Sequence, residues 1–300
     1  MRYLLLLVTL CLFTHHASAE TTIRVLTIGN SFAENACKNL KSIASDGDVS
    51  LVLGTANLGG CTLERHATLA KQSAADPDTK PYNYRSETGS TKLNLQEYLQ
   101  AQPWDYVTLQ QMSALSHQPE TYHPHIDELV VLIRKLAPQA KILIHQTWAY
   151  RPDSPLLKNW AITQEEMQQR LVNAYSDVAQ QFDAKVIPVG QAFHQVRSTP
   201  GREVVVPDPT SDYKTPSYPD LPDESHSLVV GWQWASRDGK PSLRLDFKHA
   251  NASGCYLAGL VWYETITGND ARQIKFAPRG VDAEDAVFFR EVAHRVVNHP

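Results

Sequence analysis

Three groups of residues, far apart along the chain, carry side chains that together could cleave an acyl bond. Ser31 follows a short apolar run, residues 23–28, that ends at Gly29. A serine hydroxyl alone is a weak nucleophile and needs an adjacent base. His249 is a candidate base, and Asp246, close before it, can reach the far nitrogen of its ring. A carboxylate in that place fixes the tautomer and stabilises the imidazolium formed when the base takes a proton. The charge that builds on an attacked carbonyl oxygen also needs hydrogen-bond donors. The backbone N–H groups of Ser31 and Gly60 are candidates, with the side-chain amide of Gln110 or Gln111 as a third.

These residues lie where strands are predicted to end. Residues 23–28, 49–53, 104–109, 141–145 and 184–188 read as short β runs. Helical spacing follows the first of them through Leu40 and Ile43, and recurs over 126–136, 163–182, 251–266 and 283–297. Thr163 with Glu166 forms a plausible capping box for the longest helix. Strands alternating with helices predict an α/β chain, a parallel sheet covered on both faces. Ligands of such sheets bind outside the carboxyl ends of the strands. The polar stretch 74–90 reads as a loop. Residues 198–241, rich in Pro, Asp and Ser, break the alternation. They read as an insertion near the site, with a hairpin of 228–234 and 242–246 around Asp238-Gly239.

Residues 1–19 read as a signal peptide, leaving a single domain over 20–300. Arg2 is followed by a brief apolar core and by Ala17-Ser18-Ala19, a small-x-small cleavage site. The apolar core is too short to span a bilayer. A secreted or periplasmic protein is therefore expected. Cys37, Cys61 and Cys255 then remain, an odd number that allows one disulfide or none, and small buried residues are the favoured reading. The net charge of −4 and the lack of a basic run leave no footprint for nucleic acid. No later stretch is apolar enough for a membrane span.

Walker A, H-E-x-x-H and GxGxxG patterns are missing. The α/β-hydrolase elbow is broken by Ala33. Chemistry without a cofactor or metal is expected. His123 and His125 read as a surface loop ahead of Asp127 and Glu128, while His66, His145 and His226 are weaker candidates for a site. Trp148, Tyr150 and Trp160 either line a sugar-binding cleft or anchor the core. Cys61, beside Gly60, is a further candidate as a reactive thiol.

Three segments carry a resemblance. TIGNSF (27–32), LGGCT (58–62) and DFKH (246–249) resemble the first, second and C-terminal blocks of the SGNH, or GDSL-like, hydrolases. IGNSF, GGC-x-L-x-x-H through His66, WDYVTLQQ and HQTWAY together are similar to the DUF4886-type branch, across essentially the whole mature chain. The resemblance implies a three-layer, flavodoxin-like α/β/α sandwich with a short parallel sheet and a Ser31-His249-Asp246 triad. It also implies a serine esterase that removes acetyl or other short acyl groups from a small-molecule or polysaccharide ester outside the cell. Gln111, Trp148 and Tyr150 are then expected to contact substrate. The sequence departs from the family pattern in two places: Asn30 stands where many members carry Asp, and Leu109-Gln110-Gln111 replaces a GxND block. Gln110, the first residue past its strand, is taken as the substitute amide donor. A carbohydrate-binding protein that kept the fold and lost turnover is the alternative.

Overall fold

A computed structural model describes residues 21–86, 89–206 and 218–299. The expected leader lies outside these residues, as do 207–217 of the expected insertion. Thr21–Gly29 (β1) leads into Ser31–Cys37 (α1) and Leu40–Asp46 (α2), then Val49–Asn57 (β2). Leu63–Ala75 (α3), Tyr82–Ser86 (β3), Gly89–Leu93 (β4) and Leu95–Gln100 (α4) precede Tyr106–Leu109 (β5). Next come His125–Leu136 (α5), Lys141–His145 (β6), Pro155–Trp160 (α6), Gln164–Phe182 (α7) and Lys185–Ile187 (β7). Val189–Arg197 (α8), Val229–Arg237 (β8), Lys240–Ala250 (β9), Ala252–Thr267 (α9) and Ala283–Asn298 (α10) follow.

Five strands form one parallel sheet in the order β2-β1-β5-β6-β7. From β1 the chain steps to β2 on one side, then crosses to β5 on the other. Right-handed crossovers put helices on opposite faces when the step reverses. α1 and α2 accordingly join α8, α9 and α10 in one layer, while α3, α4 and α5 pack together in another. This is the expected three-layer α/β/α sandwich, in the strand order of flavodoxin-like folds. The reversal falls between β1 and β5, so Ser31 leaves β1 at the topological switch point.

Composition explains the layers. β1 is buried from Val25 to Gly29, as befits a strand covered on both faces. α9 is buried all round from Gly254 to Ile266, and its sequence is apolar on every side. A Cβ at Gly254 would stand 2.1 Å from the Leu228 carbonyl oxygen, so this glycine lets α9 close against the foot of the β8–β9 hairpin.

Several expectations change. The helix expected through Leu40 and Ile43 is two helices, broken at Lys38-Asn39. Part of the stretch expected as a loop is the β3–β4 hairpin, in which only Tyr82 turns fully inward, so its apolar signal is one residue deep. The Asp238-Gly239 hairpin is present and longer than expected, with both turn residues at positive φ (52° and 75°). Such values suit a two-residue turn of the primed type. The capping box of Thr163 and Glu166 is formed. Among the described residues, no helix is long and apolar enough to cross a membrane.

Cys37, Cys61 and Cys255 are buried and unbridged. Burial raises the Cys61 and Cys255 thiols to about 11, so neither is a reactive thiolate at neutral pH. Without reductant, these three cysteines should resist alkylation in the native chain, and each should take up one group in the denatured chain by mass spectrometry. Fewer additions would reveal a bridge.

Candidate active site

The turn that presents Ser31 is built from one side chain. Asn30 is the N-cap of α1, and its Oδ1 accepts the Phe32 N–H at 3.1 Å. Its Nδ2 donates to the Cys61 carbonyl at 3.0 Å, so it ties the Ser31 turn to the Gly59-Gly60 turn. Phe32 packs beneath, stacked on Trp148 at 4.3 Å, and Trp148 stacks on Phe193 at 4.6 Å. Ser31 stays partly exposed at the top of this pile.

Asp246 and His249 reach Ser31 from β9. The register passes from Gly231–Asp246 to Val229–Ala250, so Phe247, Lys248 and His249 oppose Val230 alone. The segment joining Asp246 to His249 is thus a bulge in a strand, a device that re-aims side chains. Asp246 Oδ1 accepts the backbone N–H groups of Lys248 (3.3 Å) and His249 (3.0 Å), which curls the bulge around its carboxylate. His249 Nδ1 lies 2.9 Å from Asp246 Oδ2, and its Nε2 lies 3.0 Å from Ser31 Oγ. Partial burial pushes the Asp246 carboxyl up, but the hydrogen bonds from the His249 ring, its N–H and the Lys248 N–H outweigh this and hold it below the usual range. With Asp246 ionised, Nδ1 donates to it and Nε2 is free to accept the serine proton. Asn35 on α1 accepts the Ala250 N–H at 3.0 Å, and Trp148 Nε1 donates to the Lys248 carbonyl at 2.8 Å. Both contacts seat the bulge beside the nucleophile.

Gly60 has φ +61° and is exposed, and a Cβ there would meet nothing within 4 Å. Among the described residues, neither its N–H nor that of Ser31 has a protein acceptor. Both are free to receive a developing oxyanion.

The other expected contacts need correction. Gln110 is buried, and its Nε2 donates to Asn30 Oδ1 at 2.7 Å and to the Gln111 carbonyl at 3.4 Å. Both amide hydrogens are therefore spent inside, and Gln110 braces Asn30 rather than lining the oxyanion hole. Its Oε1 accepts the Nδ1–H of His145 at 3.0 Å. Gln111 is likewise consumed: it accepts from the Leu63 and Met112 N–H groups and donates to Thr121. Trp148 and Tyr150 are 0% exposed, so they are core anchors and not substrate contacts. Cys61 is closed off with its thiol toward the Thr62 carbonyl. His123 pairs with Asp127 at 2.6 Å on the surface.

Asn30, Asn35 and the two buried histidines are the site residues that sequence reasoning undervalued. His66 donates from Nε2 to the Gly29 carbonyl at 3.0 Å and accepts at Nδ1 from the Tyr82 hydroxyl at 2.8 Å. It holds the end of β1 directly behind Ser31, and its place in GGC-x-L-x-x-H was the available signal. Away from the site, Glu264, Asp270 and His294 gather carboxylate and imidazole atoms within 4.8 Å. Glu264 already accepts from His294, Asn298 and the Ala271 N–H, and Asp270 is held by Arg272. This is an ion-pair network whose lone pairs are in use.

Two outcomes follow from the buried amides and rings. Gln110→Leu would leave Asn30 Oδ1 short of a partner and the His145 N–H without any, at a cost of about 1–3 kcal/mol for each stranded group. Denaturant unfolding should show that loss; an amide serving only the oxyanion would leave stability unchanged. Burial lowers His66 to about 4 and His145 to about 3, so both are neutral when folded at pH 7. In the unfolded chain they titrate near the ordinary 6.5. The stability they contribute is whole above about pH 6.5 and drains as pH falls toward 4, at about 1.4 kcal/mol per pH unit for each ring. The denaturant midpoint should therefore fall between pH 7 and 4; a flat midpoint would contradict neutral buried rings.

Comparison with known proteins agrees with the fold. Residues 24–205 match the family described as Domain of unknown function (DUF4886). The matched span carries Ser31 and Gly60 and stops short of Asp246 and His249. A DUF4886 family protein from Bacteroides uniformis ATCC 8492, known by crystal structure, is 26% identical, with a TM-score of 0.71 over 93% of this chain and 96% of that one. A protein from Slackia heliotrinireducens, assigned as an SGNH hydrolase, is 20% identical, with a TM-score of 0.51 over 81% of this chain and 98% of that one. No curated protein matches the sequence. The chain belongs to the DUF4886 family, on the α/β/α fold of the SGNH hydrolases.

Proposed function

We propose that this protein is a serine esterase acting through Ser31, His249 and Asp246. The observation that carries this reading is the unbroken chain of hydrogen bonds from Ser31 Oγ to His249 to Asp246, at 3.0 and 2.9 Å, across 218 residues of sequence. Ser31 attacks the ester carbonyl while His249 Nε2 takes its proton. Asp246 holds the ring and offsets the charge on the imidazolium. The oxyanion is received by the N–H groups of Ser31 and Gly60. His249 then returns the proton to the departing alcohol, and a water activated by the same ring releases the acid.

The substrate we propose is a short acyl ester, acetyl above all, on a carbohydrate met outside the cell. Support comes from the leader-like N-terminus and from the exposed Gly59 and Gly60 beside a partly exposed Ser31, which leave room for a bulky alcohol part. Trp148 and Tyr150 lend no support, since they are buried.

Fluorophosphonate labelling, together with acetate release from acetylated glycans and short aryl esters, tests the reading. Wild type should be labelled and should turn over. Ser31→Ala should lose the label and about 10⁴-fold or more of kcat. A folded wild type that takes no label, yet binds glycan as well as Ser31→Ala does, would make it a binding protein instead.

A further inference from the structure

The hairpin that carries Asp246 and His249 stands outside the parallel sheet, and among the described residues its main helix contacts are with α1 and α9. One buried residue grips both of its strands. Arg151, just past β6, has a side chain only 1% exposed. Its Nε and Nη2 donate to the two Asp153 oxygens at 2.6 and 2.8 Å, and its Nη1 donates to Glu224. The Glu224 oxygens in turn accept the Trp232 N–H of β8, at 2.9 and 3.1 Å. The Arg151 backbone N–H donates to the Phe247 carbonyl in the β9 bulge at 3.2 Å.

The grip falls at the level of the acid. Gly231, at φ +73°, pairs with Asp246 across the hairpin. A Cβ at Gly231 would stand 2.1 Å from a Glu224 oxygen and 2.6 Å from Arg151 Nη1, so only glycine lets the clamp close on β8. Arg197 sits beside the cluster and donates to the Ala149 carbonyl at 2.8 Å. The Arg151 guanidinium thus faces two carboxylates, which keeps a buried cation from standing unpaired, where it would be costly.

We propose that Arg151 and Glu224 are positioning residues that hold the β9 bulge, and with it His249, in line with Ser31. This rests on the triad reading above. Fixing a reacting geometry from outside is worth large rate factors, because a shift of about 1 Å can cost about 10²-fold.

The test uses Glu224→Gln and Arg151→Lys in the full mature chain. Three readouts are compared: kcat and KM on an aryl ester, thermal unfolding, and the downfield proton NMR signal of His249 Nδ1–H bonded to Asp246. Both variants should lose kcat, Glu224→Gln by about 10²-fold, with KM little changed. Their His249 signal should broaden or vanish. Arg202→Gln, which breaks ion pairs to Glu284 and Asp285 on α10, should change only stability. The proposal is overturned by a folded Glu224→Gln with wild-type kcat and an intact signal. It is equally overturned if all three variants lose activity in proportion to stability. Should Glu224→Gln fail to fold, Arg151→Lys, which keeps the cation, decides by the same readouts. The proton signal needs no turnover and can be read in a Ser31→Ala background, so failure of the esterase reading is distinguishable from failure of the clamp.

Discussion

The side chain of Asn30 makes its hydrogen bonds in a space closed to water, and the site above it depends on them. One oxygen takes both the Phe32 N–H of α1 and the amide of Gln110, while the nitrogen reaches the Cys61 carbonyl. An asparagine is the residue that can do both, because it accepts and donates from one short stem. An ionised aspartate would offer no donor to Cys61. The nucleophile turn and the glycine turn are therefore held together by the Asn30 side chain and by the Leu58 N–H donating to the Gly29 carbonyl at 3.1 Å, and the two free N–H groups inherit that separation. Behind Asn30 lie Gln110 and then His145, each satisfied in part by the one before. A buried polar chain of this kind is stable only when its members are paired.

The pairing also explains the departure from the GxND block. A side chain aimed at solvent would have left Asn30 and His145 short of partners. Glutamine, one methylene longer than asparagine, turns back beneath the turn and meets both. The exchange reduces the visible oxyanion donors to two backbone N–H groups, whose direction is set by the turns rather than by a rotatable side chain.

Much of the architecture was legible in the sequence for a physical reason. Strands buried on both faces show as continuous apolar runs, and β6 was bounded at its observed ends, Lys141 and His145. The capping box of Thr163 and Glu166 marked the start of α7 because capping is local chemistry. Ser31 drew notice because it follows a strand, whereas Asp246 and His249 drew it by their spacing, and the structure places both within the β9 bulge. The misreadings of the expected substrate and oxyanion contacts share one cause. Trp148, Tyr150, Gln110 and Gln111 are residue types found both in cores and in binding clefts, and only tertiary packing decides between the two. The β3–β4 hairpin was missed because a strand with a single inward tyrosine has no periodicity to read. Arg151 was invisible as a clamp, since its partner Glu224 lies 73 residues away in a segment without regular pattern.

The β8–β9 hairpin has a consequence for how the molecule comes into being. All five strands of the sheet, with Ser31, are complete by Ile187, whereas Asp246 and His249 arrive only with β9. During synthesis the serine is therefore made long before its proposed base. A serine without a base is nearly inert. The emerging chain carries Ser31 before Asp246 and His249 exist to meet it, and the proposed triad is completed only when the bulge of β9 docks beside α1.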